Sequence, residues 1–392
     1  MAKIAAWGVG KSLNSRDAAR DAVQQALTQM DTNRPALVLA FISVGLDEQE
    51  AVNGISDILP KVPLWGLSTL GPLSPDGEEG RSIVVGLIGG SKLEASGQWW
   101  PEKTLAQPQQ VEKIFRQFGK EQSSASGLLL ALDGLGLHAE SVLNALGDFP
   151  APLAAALGSG DFHNGKTWQF FGERSGEASA AALVLGGRLR MGVGMGHGWH
   201  AVGVSFAPSG RSGALGVQLL NGIPATEALA QVFQHPAREW SYPPLKDLAR
   251  LYALGFGREG AEGEGLLLRS AVQVEVDGSL RMNAPCPEEA RAQLLVGNLE
   301  NCVTAARQAA ETAMTNLGPA KPLLAVLLVD IAWQYLFESR SRQFIAAVGE
   351  VLSGIPVVGA YTLGQAASQA AETVAVLQNQ HVQVIVLGEA EA

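Results

Sequence analysis

The chain has 392 residues, 47% hydrophobic and only 17% charged, with 46 glycines and a formal charge of −10. That length predicts two domains, and the apolar content excludes a disordered chain. An acidic balance without a Lys/Arg cluster excludes a nucleic-acid binder, and two cysteines cannot build a disulfide framework or a four-cysteine zinc site. No run of 18 apolar residues occurs, so no membrane-spanning helix is expected, and the opening residues lack a signal peptide, so the expectation is a soluble cytoplasmic protein.

Gly8-Val-Gly-Lys-Ser12 has the end of a phosphate loop, but Ala5 stands where the motif needs its first glycine. Ala36–Ile42 is an apolar run of strand length and Asp47–Leu59 a helical stretch. Pro63-Leu-Trp-Gly-Leu-Ser-Thr-Leu-Gly71 follows, then the strand-like run Ile83–Ile88. The order recurs at Leu128–Leu132, His138–Leu146, Pro152–Gly160 and Ala181–Leu185. It returns at Leu323–Val329, Arg340–Leu352, Pro356–Gly364 and Val382–Leu387. Pro63–Gly71 and Pro356–Gly364 share five of nine residues. The fold class expected is α/β (α+β layered): two domains built from duplicated strand–helix–strand–strand units with packed sheets.

Arg188–Phe206 alternates with glycine, Arg269–Met282 holds a hairpin signal at Asp277-Gly278, and Asn301–Leu317 is Ala-rich and helical. Glu121–Ser126 and Gly255–Gly265 are the expected flexible loops; Gly255-Phe-Gly-Arg-Glu-Gly260 matches a dinucleotide fingerprint only in letters. Of six histidines only His197 and His200 are close, without a carboxylate or cysteine beside them, so no metal site is expected. No nucleophile elbow occurs, so no catalytic residue is named and no enzyme is expected.

Gly196-His-Gly-Trp-His-Ala-Val-Gly203, then Leu219-Leu-Asn-Gly-Ile-Pro-Ala225, Leu267-Leu-Arg269 and Val276-Asp-Gly-Ser-Leu280, in that order, resemble the FIST family. Phe41-Ile-Ser43 and Gly66-Leu-Ser-Thr69 join that resemblance, which covers most of the chain. It implies an N-terminal FIST region over 1–215 with two units and a C-terminal region over 216–392 with the third. It also implies an intracellular signal-transduction sensor for a small polar ligand such as an amino acid. With no output domain in view, it would act through a separate signalling kinase or cyclic-dinucleotide enzyme. Some members bind haem and respond to nitric oxide, so His197 becomes a conditional iron ligand, although the sequence itself requires no cofactor. The chain departs from the family at Asp330-Ile-Ala-Trp-Gln334, which lacks the family's Cys and Arg, and at Gly364-Gln365, where the family has Gly-Glu. Those losses leave open an interaction protein with a degenerated pocket.

The residues named for ligand binding are Ser68, Thr69, His197, Trp199, Arg269, Tyr361, Thr362, Gln365 and Asn379. Thr69, Thr362 and Gln365 stand at strand ends before or after a Gly turn, where open α/β sheets bind ligands. Tyr361, Gln365 and Asn379 add neutral donors and acceptors, so the pocket expected prefers an uncharged polar group. The alternatives are that the threonines satisfy turn backbone, that His197 and Trp199 are a packed core pair, and that Arg269 pairs with an acid inside the fold.

Overall fold

The computed structural model describes residues 3–31, 34–90, 92–136, 138–147, 149–160, 165, 167–210, 215–242, 245–257, 265–287, 290–369 and 374–391. The first layer runs β1 (Ala5–Gly10), α1 (Ser15–Leu27), β2 (Pro35–Ser43), α2 (Glu48–Ile58) and β3 (Leu64–Thr69). A hairpin of β4 (Pro72–Ser74) and β5 (Gly77–Glu78) leads to β6 (Ile83–Gly89). Asn14 and Asp47 start the two helices as N-caps, accepting from Asp17 N at 3.0 Å and Glu50 N at 2.9 Å. β2 pairs in parallel with β3 and antiparallel with β6, and β1 pairs with the far side of β6.

The second layer repeats this order with β7 (Leu93–Trp100), α3 (Glu102–Leu105), α4 (Pro108–Glu121), β8 (Gly127–Leu132), α5 (Ala139–Leu146) and β9 (Leu153–Leu157). The hairpin β10 (Trp168–Phe171) and β11 (Arg174–Glu177) and then β12 (Ala180–Gly187) complete it. β8 is parallel to β9 and antiparallel to β12, whose other neighbour is β7.

The third layer opens with β13 (Leu189–His197) and is interrupted at once. The interruption contains β14 (Trp199–Phe206), β15 (Pro208–Ser209), β16 (Gly216–Val217), β17 (Leu219–Leu220), β18 (Ile223–Pro224), α6 (Ala225–Phe233) and α7 (Leu245–Leu248). It continues through β19 (Tyr252–Phe256), β20 (Leu267–Val274), β21 (Leu280–Met282) and β22 (Ala292–Gly297). Its main sheet, ordered β14-β22-β19-β20-β21-β16, packs on its own core around Phe206, Trp240 and Leu254. Gly255 is a strand residue of β19 rather than part of a loop, and 258–264 of the expected loop lie outside the described residues. The layer resumes with α8 (Leu299–Leu317), β23 (Lys321–Asp330), α9 (Ile331–Phe337), α10 (Arg342–Leu352), β24 (Val357–Thr362), β25 (Gln365–Ser368) and β26 (His381–Glu389). β23 is parallel to β24 and antiparallel to β26, whose other neighbour is β13.

The three sheets thus share one pairing scheme, and each is finished by a strand from another layer. β10 adds to β3, β25 adds to β9, and β4 adds to β24. Their inner faces meet in one core that includes Phe41 and Leu67, Leu129 and Ala156, Val326 and Ile385. Helices cover the outer faces, which is why the central strands are apolar on both sides.

The glycines of the first and third edge strands permit the closest of these contacts. A Cβ on Gly8 would lie 2.0 Å from Ala22 O of α1. On Gly194 it would lie 2.0 Å from Ala309 O of α8. The Gly8–Ser12 segment is therefore a packing surface for a helix rich in small residues.

Candidate functional site

The strand ends of the three layers meet in a closed hub. The Thr69 and Ser159 hydroxyls both donate to Tyr361 O, at 2.8 and 2.7 Å, while Leu70 N donates to Ser159 Oγ at 2.9 Å. Ser159 N donates to Ser68 O, Leu363 N to Leu157 O, and Tyr361 N to Gly71 O. Ser68 Oγ donates to Ser159 O at 3.1 Å and accepts from Trp168 N at 2.8 Å. Ser68, Thr69 and Ser159 are buried, and their hydroxyls bind the three layers together.

Tyr361 and Thr362 are neighbours on β24, so their side chains take opposite faces. Tyr361 packs in the outer core with Phe344 and Val329, whereas Val358 and Ala360, which share the Thr362 face, belong to the inner core. The expected pocket bordered jointly by Tyr361, Gln365 and Asn379 is therefore divided by the sheet.

On the inner face a polar cluster does form. Thr362 is the register partner of Asp330, the last residue of β23. The Thr362 hydroxyl donates to Val329 O at 3.3 Å and accepts from the Gln365 amide. Asp330 Oδ1 caps α9 by accepting from Ala332 N at 3.0 Å. Gln383 pairs with Leu328 and sends its amide to Ala366 O at 2.9 Å. His381 pairs with His197, their rings 4.9 Å apart, and meets Asn379 O through Nδ1 at 2.7 Å. Asn379 donates to Leu363 O at 2.9 Å and accepts from Ser270 N at 3.4 Å, tying the cluster to β20 of the inserted sheet.

Among the described residues three acceptors in this cluster are buried and have no hydrogen bond: Asp330 Oδ2, Gln365 Oε1 and Gln383 Oε1. Asp330 is 2% exposed and both glutamines 0%. Buried polar atoms are nearly always paired, so three orphans at one strand-end cluster single it out as the candidate site. Burial pushes the Asp330 carboxyl up to about 6, opposed by the Ala332 and Gln380 N–H groups, the Asn379 amide and the charge of Arg250. Burial pushes His381 down to about 3, with the neighbouring His197 adding to the shift, so its imidazole is neutral. Sequence reasoning passed over Asp330, Gln383 and His381; the signal for Asp330 was an acid ending an apolar run, beside the Thr362 strand end.

The second layer holds a cluster of the same residue types. Thr167 donates to Asp133 Oδ1, at the end of β8, and accepts from Gln169 Nε2 at 2.8 Å. The Gln169 oxygen accepts from Ser179 N at 3.0 Å and from the Ser179 hydroxyl at 3.2 Å.

The remaining predicted residues lie elsewhere. Trp199 is buried, donates to Leu251 O at 2.8 Å and lies beside Trp333, the ring centroids 6.1 Å apart and the planes tilted by 41°. Arg269 is 2% exposed and donates to Leu377 O at 2.6 Å, Pro285 O at 3.0 Å and Glu140 Oε1 at 2.6 Å. These bonds join the inserted sheet to α5, so its guanidinium is engaged within the fold. The haem implied by the resemblance does not fit His197. Its Nδ1 accepts from Trp199 N at 3.2 Å, which puts the proton of the neutral ring on Nε2 and removes the lone pair an iron would need there.

Among the described residues no three His, Cys, Asp or Glu side chains gather as a metal site, and no helix is long and apolar enough to cross a membrane. A separate cleft of about 480 Å³ lies in the inserted region, bounded by Pro208, Val217, Asn221 and Cys286. Among the described residues it is lined mainly by Gly, Pro and Ala, with the Cys286 thiol, which burial pushes up to about 11, as their ionisable group.

Comparison with known proteins gives a match to the FIST N domain over residues 36–207 and to the FIST C domain over residues 225–368. No curated protein matches the chain. A solved cyanuric acid hydrolase from A. caulinodans is similar at 8% identity and a TM-score of 0.37, with all of both chains covered. A chorismatase is similar at 10% identity and a TM-score of 0.28, with 99% of each chain covered. Phosphoribosylformylglycinamidine synthase II from Thermotoga maritima is similar at 12% identity and a TM-score of 0.24, over 98% of this chain and 72% of that one. Likenesses this remote carry no argument about chemistry.

Proposed function

The chain belongs to the FIST family, and from that premise we propose that it is a small-ligand sensor whose binding centre is the Asp330–Thr362–Gln365 cluster. FIST domains are sensor domains of signal transduction. The observation that carries the assignment is the set of orphaned, buried acceptors at the strand ends of the third layer. The ligand is a small polar molecule of the amino-acid kind, bound rather than turned over. The response passes in the cytoplasm to a separate partner, a signalling kinase or a cyclic-dinucleotide enzyme.

The three layers represent an internal repeat, of which the third has become the binding unit. The division into 1–215 and 216–392 marks the two family regions rather than two bodies that fold alone, because it would part β13 from β26. Asn379 carries the signal outward, since its side chain touches both the third layer and β20.

Melting curves of the full chain against an amino-acid panel test this reading. A ligand at a hundred times its dissociation constant adds about 2.7 kcal/mol. At least one panel member raises the melting temperature of the wild type and loses that effect in Thr362→Val. A panel without effect at millimolar concentrations would overturn the assignment.

A further inference from the structure

Each glutamine in the cluster has its orientation fixed by its surroundings. Gln383 Nε2 faces Ala366 O, and a carbonyl oxygen can only accept, so the amide nitrogen must point there and Oε1 must point away. The Thr362 hydroxyl spends its proton on Val329 O, so it too can only accept from Gln365, which again turns Oε1 into the cluster. His381 is fixed in the same way. Its Nδ1 carries the proton toward Asn379 O, which leaves Nε2 a lone-pair acceptor.

Asp330 contributes the charge. One carboxylate oxygen caps α9 and the other is orphaned. It stands beside Thr362 on the face that carries Leu328 and Gln383. A neutral donor such as a hydroxyl would satisfy one of these atoms and leave the Asp330 charge to Arg250 and to the Gln380 and Asn379 donors alone. A small cation satisfies several acceptors at once and cancels the charge. The second-layer cluster is the internal control: there Ser179 supplies the Gln169 oxygen with two donors.

We infer that the third layer contains a site for a compact cation, held by Asp330 Oδ2, Gln365 Oε1 and Gln383 Oε1. The cation is either a free monovalent ion or the protonated amine of a bound molecule. This goes beyond the sensor reading, because a free ion would occupy the site whether or not a ligand is sensed. It also reverses the preference for an uncharged group expected from Gln365 alone.

The test is thermal unfolding of the full chain at pH 8 and constant ionic strength. The chloride salts compared are sodium, potassium, ammonium, methylammonium and the oversized tetramethylammonium. At least one compact cation should raise the melting temperature by several degrees over tetramethylammonium, in a saturable manner. The effect should vanish in Asp330→Asn and persist in Asp133→Asn. Because Asp330 also caps α9, Gln365→Leu is the second variant, and it should weaken the response at least threefold in half-saturating concentration. A response to sodium or potassium assigns the site to a free ion; a response to methylammonium without either assigns it to an amine. Identical melting in all five salts, or a cation response unchanged in Asp330→Asn and Gln365→Leu, would overturn the site. Cation-independent melting together with a positive amino-acid panel would refute the cation and leave the sensor standing. The converse pair of results would do the reverse.

Discussion

The strand ends of β8 and β23 carry the same three residue types in two different states. At β8, Asp133, Thr167 and Gln169 form a closed circuit in which the glutamine oxygen has two donors. At β23, Gln365 donates to Thr362 as Gln169 does to Thr167, but the Thr362 hydroxyl donates to Val329 O instead of to Asp330, and among the described residues Asp330 Oδ2 and Gln365 Oε1 have no hydrogen bond. One serine accounts for much of the contrast: Ser179, just before β12, donates twice to the Gln169 oxygen, and no described residue donates to that of Gln365. Residue type and strand-end position therefore do not separate a closed cluster from one with orphaned acceptors. The balance of donors and acceptors does.

The largest expected effect breaks the open cluster outright. Gln365→Glu would place a second carboxyl beside Asp330, and the full chain should lose about 3–5 kcal/mol at pH 8. Urea unfolding should show most of that loss recovered at pH 5, where one of the two carboxyls is protonated. An undiminished loss at pH 5 would mean that repacking, not charge, is responsible.

Next in size is the pH response of the wild type. Asp330 titrates near 6 in the folded chain, against about 4 when unfolded, so the folded state binds the proton more tightly. The stabilisation this provides is complete below pH 4 and is lost as pH rises through 6, a change of about 3 kcal/mol without a bound cation. His381 has the opposite sign: its folded value near 3 lies below that of the unfolded chain, so its contribution holds above pH 6.5 and falls away in acid. Because the two contributions oppose each other between pH 4 and 6.5, the Asp330 share is read as the stability of the wild type minus that of Asp330→Asn, a difference that should fall by about 3 kcal/mol from pH 4 to 8. A difference that stays constant with pH would place the titrating group elsewhere.

A paired substitution compares the two regions directly. Gln169→Leu strands Thr167 and the Ser179 donors and should cost about 2–3 kcal/mol. Gln365→Leu removes one hydrogen bond and one orphaned acceptor together, and should change stability by less than about 1 kcal/mol. Denaturant midpoints that rank the pair in the other order would erase the distinction between closed and open clusters.

Much of this was legible in the residues. The apolar runs at 36–42, 128–132 and 323–329 lie within β2, β8 and β23, because a strand buried on both faces needs an unbroken apolar stretch. The edge strands β1 and β7 escaped notice because their glycines and exposed polar positions interrupt that pattern. The exchange of β4, β10 and β25 between layers was also hidden, since short strands paired across hundreds of residues leave no local trace. At the site, the strand-end argument found Thr362 and Gln365. Two-residue alternation would have set Tyr361 on the other face. Asp330 was noticed only as a departure from the family pattern, because whether a carboxylate oxygen finds a donor depends on tertiary packing.

The exchanged strands also set the order in which a ribosome-borne chain can become whole. The second sheet takes its outermost strand from residues 365–368, close to the end of the chain, and the third takes one from residues 72–74. The first two layers therefore emerge with β9 lacking its final neighbour until residues 365–368 have been made. An open strand edge is a template for pairing with other chains, and contacts of such long sequence separation form slowly. The second sheet thus cannot be completed from its own layer alone. The interval before its completion is when the nascent chain most needs shielding by chaperones.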